Sequence, residues 1–306
     1  TLEERQTLDV QCSSCGARLA LEENLRTIEC PYCAASSIVE RAADPERPSP
    51  TFVLGFSVSQ IQARERAADW LRGRSLFAKK GVHKAVVENV RGVYVPAYLY
   101  SSAATSGFSA DIGEEYQRTE SYTTTENGKT VTKTRRVTET EWRPLSGRFA
   151  EYIPDVLVTA SRGLANEELE AIEPFDLRLL RRYDPALLSG WAAEEPSMSG
   201  SQCLEVARRE ALERTGERLS GFMPGDKHRG LEQSTELSNE ELDLCLVPVW
   251  VMAARYREKA APVRIVINGQ SGEVHGETPL SWLKIGGAAI ALLAVLAAIV
   301  FALSGA

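Results

Sequence analysis

The sequence predicts an α+β protein: an N-terminal four-cysteine zinc ribbon, two related helix-plus-antiparallel-sheet units, and a C-terminal single transmembrane helix. Three observations carry this expectation. Residues 285 to 303, IGGAAIALLAVLAAIVFAL, are 19 consecutive apolar residues. Cys12, Cys15, Cys30 and Cys33 form two CxxC pairs separated by fourteen residues. Between these ends, a helix-start signature followed by a strand pattern occurs twice. The expected boundaries are 1–41 for the ribbon and 42–50 for a linker. The first unit is 51–160 with a protruding hairpin at 119–138, the second is 161–280, and the membrane helix is 283–303.

The CxxC spacing is the sharpest motif. Two residues between cysteines let a tight knuckle direct both sulfurs at one ion, and two knuckles complete a tetrahedral site. The expected cofactor is a structural Zn²⁺ held by Cys12, Cys15, Cys30 and Cys33, with no open position for catalysis. Residues 1 to 47 hold five arginines against nine carboxylates, a balance of -4. That charge disfavours phosphate binding. The formal net charge of -7 over 306 residues points the same way, so nucleic acid is an unlikely partner.

The prolines of AADPERPSP, residues 42 to 50, mark the linker. The strand TFVLGF, 51 to 56, precedes a capping-box pattern at Ser57 to Gln60 and a helix reaching about Arg72. Ile61, Ala68, Trp70 and Leu71 supply its expected apolar surface. VYVPAYLY, 93 to 100, is the clearest strand of the first unit. The order recurs with a capping box at Ser199 to Gln202, a helix to about Leu219, and LDLCLVPVWVMAAR from Leu242 to Arg255. Val95-Pro96-Ala97-Tyr98 resembles Val247-Pro248-Val249-Trp250, which suggests an internal duplication. Proline inside each strand places it at an edge or a bulge.

Asn127-Gly128 between threonine-rich arms signals a hairpin turn. Lys129, Lys133, Arg135 and Arg136 make one arm basic, and Arg178, Arg181 and Arg182 form a second basic cluster. The arm reads most simply as a solvated ribbon, and more sharply as a protrusion that touches a partner or the anionic membrane surface. The arginine cluster has an anion-binding reading beside the commoner one of pairing with nearby carboxylates. The histidines, His83, His228 and His275, lack metal-ligand spacing, and no nucleophile or dinucleotide-loop motif occurs. Cys203 and Cys245 read as buried apolar residues. An enzyme is not expected.

The apolar run, at the helical rise, covers about 28 Å. With no secretory leader in the first 30 residues and Lys284 beside the run, the expected placement is the bacterial inner (cytoplasmic) membrane, single-pass, with the soluble part in the cytoplasm. Ala294, Ala298 and Ala302, with Gly287 and Ala291, repeat every four residues, a spacing that suits a homo-oligomer.

The chain resembles a family of uncharacterised bacterial zinc-ribbon proteins, described as carrying a transcription-factor-IIB-type ribbon or as primosomal-helicase-like. The matching segments are the four cysteines, Gly92 to Pro96, Tyr122 to Lys129, Asp155 to Val158, Leu169 to Leu177, Leu246 to Trp250 and Val266 to Val274. The resemblance implies a family and no activity, since the chain has no nucleotide-binding motif. The expected function is a non-catalytic, membrane-tethered adaptor. It recruits or anchors an unidentified cytoplasmic protein assembly. The alternative is a membrane-held nucleic-acid-binding or regulatory protein.

Overall fold

Runs such as Leu244 to Ala254 carry apolar side chains at nearly every position, which a strand needs when both its faces are covered. In the computed structural model, such runs build one mixed sheet. The structure describes residues 7–12, 15–22, 32, 38–41, 48–74, 78–82, 85–126, 129–188, 191–256, 262–287, 290, 293 and 295–296. The strands are β1 (Thr7–Cys12), β2 (Arg18–Glu22), β3 (Ile38–Arg41), β4 (Phe52–Val53), β5 (Val86–Glu126), β6 (Lys129–Thr159), β7 (Arg181–Arg182), β8 (Ala192–Glu194), β9 (Lys227–Arg255), β10 (Val263–Asn268) and β11 (Val274–Gly276). Helices are α1 (Gln60–Gly73), α2 (Asn166–Glu170) and α3 (Gly200–Phe222). The sheet has eleven strands, ordered β11-β10-β9-β5-β8-β2-β1-β3, with β4, β6 and β7 paired off that path.

This architecture corrects the expected fold class. The N-terminal strands are not a separate ribbon. β1 pairs with β2 and β3, and β2 pairs antiparallel with β8 through Leu19↔Glu194 and Ala20↔Ala193. Cys12 is buried in the main core and Cys15 packs against it. Among the described residues, no group of His, Cys, Asp and Glu is placed to hold a metal ion. Cys30 and Cys33 lie outside the described residues. The membrane helix and the inner-membrane, single-pass placement are corrected as well. Among the described residues no helix is long and apolar enough to cross a membrane. Of the small residues expected to drive self-association, Ala291, Ala294, Ala298 and Ala302 lie outside the description.

The two expected units also take a different form. The chain divides into unit 1, residues 1–99, 157–203 and 243–306, and unit 2, residues 100–156 and 204–242. Within unit 1 the two halves of the sequence exchange strands. β4 precedes α1 yet pairs in parallel with β9, Phe52↔Cys245 and Val53↔Leu246. β8 precedes α3 yet pairs in parallel with β5, Val93↔Ala192 and Tyr94↔Ala193. In both cases the partners stand three and two residues before the strand proline, Pro248 or Pro96. The match continues beyond the strands. The Gly269 N–H donates to the Pro248 carbonyl at 2.8 Å, and the Ala160 N–H donates to the Pro96 carbonyl at 2.9 Å. The Ser57 and Val58 N–H groups both donate to the Gly269 carbonyl, as those of Ser197 and Met198 do to Ala160.

That repeat explains the prolines, which are interior and not at a sheet edge. A strand residue directs its N–H and C=O to the same side. On that side of β9 the neighbour changes from β4 to β10, which starts pairing at Val249. Pro248 sits at the change, where the ladder asks for no donor. Pro96 sits at the corresponding point on β5, after its β8 partners.

Two apolar layers cover the sheet of unit 1. Val247, Val249, Val251 and Val266 point into one, with Leu54, Leu169 and Ile172. Trp250, Met252, Ala254, Ile265 and Ile267 alternate into the other, against α1. Helix α1 starts two residues later than the sequence pattern suggests. Ser59 is the N-cap and forms the capping box with Gln62. Its buried face is Ala63, Ala67 and Leu71, so the helix approaches the sheet on small side chains. Ile61 is 72% exposed, contrary to expectation. Helix α3 begins at the expected Ser199–Gln202 box, with the Ser199 N–H donating to Gln202 Oε1 at 3.0 Å.

Leu71→Ala is expected to cost about 2–5 kcal/mol of stability by leaving a cavity between α1 and the sheet. Ile61→Ala is expected to stay within about 0.5 kcal/mol. Denaturant unfolding of the two variants checks which face of α1 is buried.

Candidate functional site

The site is built on the short strand β7 and the turn before it. Asp176 opens a 3-10 turn at Leu177–Leu179, its carboxylate accepting from the Arg178 N–H. The same carboxylate takes Arg178 Nε at 2.7 Å and Nη2 at 2.9 Å. This pairing holds the Asp176 carboxyl below its ordinary range and raises Arg178, both groups being exposed. β7 then lies antiparallel to β4, Val53↔Arg181 and Phe52↔Arg182, which fixes Arg181 beside Val53.

Opposite β7 stands an aromatic wall. Phe56 stacks on Trp191 with centroids 4.1 Å apart and planes 6° from parallel. Tyr94 meets Phe56 edge-on at 5.2 Å, and Trp250 meets Phe56 at 5.0 Å and Trp191 at 5.7 Å. Trp250 is anchored by its Nε1–H, which donates to the Val58 carbonyl at 2.9 Å. Burial raises the Tyr94 phenol above its ordinary pKa, opposed by a hydrogen bond with the Phe56 backbone. Gly92 makes room for the wall: a Cβ there would lie 2.3 Å from the Trp191 ring.

Between β7 and this wall is a pocket of about 590 Å³, lined among others by Tyr94, Arg178, Arg181, Leu187, Trp191 and Gln270. Gln270 reaches it from the turn after β10. Its Oε1 accepts from the Asp176 N–H at 3.0 Å, which fixes the amide orientation. Its Nε2 is buried with no hydrogen-bond partner among the described residues. The pocket thus joins flat apolar surface to guanidinium groups and amide donors. That combination can bind and orient a ligand, and among the described residues no nucleophile with an adjoining base lines it.

A second polar centre lies where the N-terminal strands join the rest of unit 1. Glu194 on β8 is 2% exposed. Its carboxylate accepts from the Tyr32 hydroxyl and from Ser161 Oγ at 2.6 Å. Burial drives its pKa up to about 7, opposed by hydrogen bonds from Ser161, Tyr32 and the Arg18 backbone. The Ser161 hydroxyl also accepts from the Gly163 and Leu164 N–H groups. Tyr32, between two of the cysteines expected to bind zinc, instead fastens the N-terminal segment to a buried carboxylate.

The remaining sequence candidates are placed as follows. Arg178 and Arg181 line the pocket, whereas Arg182 is on β7 outside its lining. In the basic arm Arg135 pairs across the strands with Glu120 at 2.9 Å, and on the facing strand Arg118 pairs with Glu139 at 3.3 Å. His228 Nε2 is 3.2 Å from Ser220 Oγ. His275 lies in β11 opposite Val266. His83 falls outside the description. Cys203 and Cys245 are buried, and burial pushes their thiols up to about 11 and about 12. Phe56, Tyr94 and Trp191 escaped sequence reasoning because they stand far apart in the chain and form no local motif.

The chain is similar to the uncharacterized protein YdjG of Bacillus subtilis (strain 168), 23% identical over 248 residues. The similarity takes in 78% of this chain, which spans 66% of the length of that curated relative. No family model matches the chain. No solved structure matches it.

Tyr32→Phe is expected to cost about 1–3 kcal/mol, since the Glu194 carboxylate keeps its burial and loses a donor. Thermal unfolding of the variant beside the parent measures this. Cys203 and Cys245 are expected to resist an aromatic disulfide reagent in the native protein and to react on denaturation, because the thiolate is the nucleophile. Mass mapping of the labelled peptides checks this.

Proposed function

We propose that the protein is a non-catalytic adaptor that recruits a protein partner through the β5–β6 strand pair of unit 2. The observation that carries this reading is the exposure of that pair. None of the described residues from 114 to 150 is buried, so neither face of the pair supports a core there. The strands extend well past the hairpin limits of 119 and 138. Residues 114 to 126 alone cover about 40 Å at the strand rise. Among the described residues β6 pairs with β5 alone, which leaves its other edge as a row of backbone donors and acceptors. Such an edge accepts an extended segment of another protein as an added strand. Tyr116 and Tyr122 on β5 and Tyr152 on β6, 46%, 41% and 61% exposed, add the side-chain type that interfaces favour. The net charge of -7 opposes a nucleic-acid partner.

β5 ends at Glu126 and β6 starts at Lys129, and the Glu120–Arg135 ion pair agrees with an equal count from those ends, which puts 118 opposite 137. Replacing residues 119–136 with Asn-Gly therefore shortens the pair without changing its register. A photo-reactive residue at Thr138 in the full chain, cross-linked in cells, is expected to give one discrete heteromeric adduct. The shortened chain, still unfolding cooperatively, is expected to lose it. An adduct unchanged in the shortened chain, or only monomer at every exposed β6 position, overturns the proposal. Salt-dependent binding of duplex DNA by the full chain favours the nucleic-acid reading instead.

A further inference from the structure

The pocket is lined by unit 1 residues and shares none with the unit 2 part of β5 and β6 on which the adaptor reading rests, and its chemistry points to a ligand of its own. We propose that it binds a carboxylate borne on a flat apolar group, the carboxylate on Arg181 and the apolar group against the wall of Phe56, Tyr94 and Trp191. Three observations converge on this. First, the two guanidinium groups differ. Arg178 is neutralised by Asp176 in a two-bond pair, whereas Arg181 is exposed and makes no ion pair among the described residues. Strand pairing with Val53 holds the Arg181 backbone at the pocket, which its side chain lines. A guanidinium so placed matches a carboxylate with two parallel hydrogen bonds.

Second, the wall is flat, stiff and built to stay open. The parallel Phe56–Trp191 stack is braced edge-on by Tyr94 and Trp250. Leu179 and Leu187, 54% and 39% exposed, stand among the lining residues, so apolar surface remains uncovered around the charge. Third, Gln270 in the same lining retains an unspent Nε2 donor while its Oε1 is committed to Asp176. The volume of about 590 Å³ falls within the ~300–1,000 Å³ of small-ligand sites and admits a single aryl acid or one terminal residue of a peptide. A neutral apolar ligand leaves Arg181 unmatched. The shared chemistry is an aryl carboxylate, supplied either by a free small acid or by the C-terminal residue of a polypeptide.

Calorimetric titration of the full chain tests this with four probes: 3-phenylpropionate, its neutral amide, acetyl-glycyl-phenylalanine as the free acid, and the same dipeptide as its amide. Each acid is expected to bind at least about tenfold tighter than its amide, a difference of about 1.4 kcal/mol. Arg181→Gln is expected to abolish that preference, and Arg181→Lys to keep part of it. Trp191→Ala is expected to weaken acid and amide alike. Tighter binding of the dipeptide acid assigns the site to a polypeptide C-terminus, and tighter binding of 3-phenylpropionate assigns it to a free acid. Equal binding of acid and amide overturns the proposal, as does a preference that survives Arg181→Gln. So does the absence of binding by all four probes up to about 10 mM in a chain that unfolds cooperatively. Because β5 and β6 are untouched in these variants, loss of the cross-linked adduct and loss of acid binding are separate results.

Discussion

Two parallel strand pairs, each two residues long, hold unit 1 in its form. Phe52 and Val53 lie on Cys245 and Leu246, and Ala192 and Ala193 lie on Val93 and Tyr94. Each pair carries a segment from one half of the sequence to a long strand of the other half. With the halves exchanged, neither can complete its apolar layers alone. Leu54 and Val93 share one layer with Val247 and Val249, and Val58 and Ala63 share the other with Trp250 and Ile265. The aromatic wall of the pocket has the same origin, since Phe56 follows β4 and Trp191 precedes β8. Stacked aromatic pairs contribute about 0.5–1.5 kcal/mol beyond the area they bury. The Phe56–Trp191 stack therefore also fastens the two exchanged segments to each other.

The same exchange leaves β8 with a second edge, and β2 occupies it. The N-terminal strands thus continue the sheet outward from β8. Their attachment is polar as well as backbone-mediated, since Tyr32 and Ser161 converge on Glu194 from opposite directions. A buried carboxylate is costly unless hydrogen-bonded, so that junction tolerates only an N-terminal segment that presents a donor there. Unit 2 uses its surface differently. Ion pairs such as Lys227–Glu115 and Arg218–Glu151, both at 2.7 Å, run between its elements, while the outer part of β5 and β6 contributes no buried residue.

How far the sequence revealed this depends on the range of each signal. Helix α3 was legible because its capping box is a local pattern, α1 was legible to within two residues of its start, and the continuous apolar run of Leu244 to Ala254 marked the buried part of β9. The face of α1 was misread because Ile61 outweighs alanine on any apolar scale, whereas the sheet admits the helix along Ala63 and Ala67. β5 and β6 run far past their apolar parts, where polar residues on both faces erase the period of two. β7 and β8 are too short for any pattern. The cysteine spacing suggested an independent metal-held module, but Cys12 belongs to the main core and β2 to the main sheet. The pocket was half legible: Arg178 and Arg181 cluster in sequence, whereas Phe56, Tyr94 and Trp191 meet only through the strand exchange.

The docking of β2 on β8 has a consequence for synthesis of the chain. Glu194 leaves the ribosome roughly 170 residues after Leu19, an interval of about 10–35 s at ordinary elongation rates. Throughout it the N-terminal strands exist without the edge that receives them. β4 waits longer still for Cys245 and Leu246. Contacts of such sequence separation also slow folding once the chain is complete. The nascent chain is therefore open at two strand edges while about 190 residues are added, and it closes the second only after Leu246 has emerged.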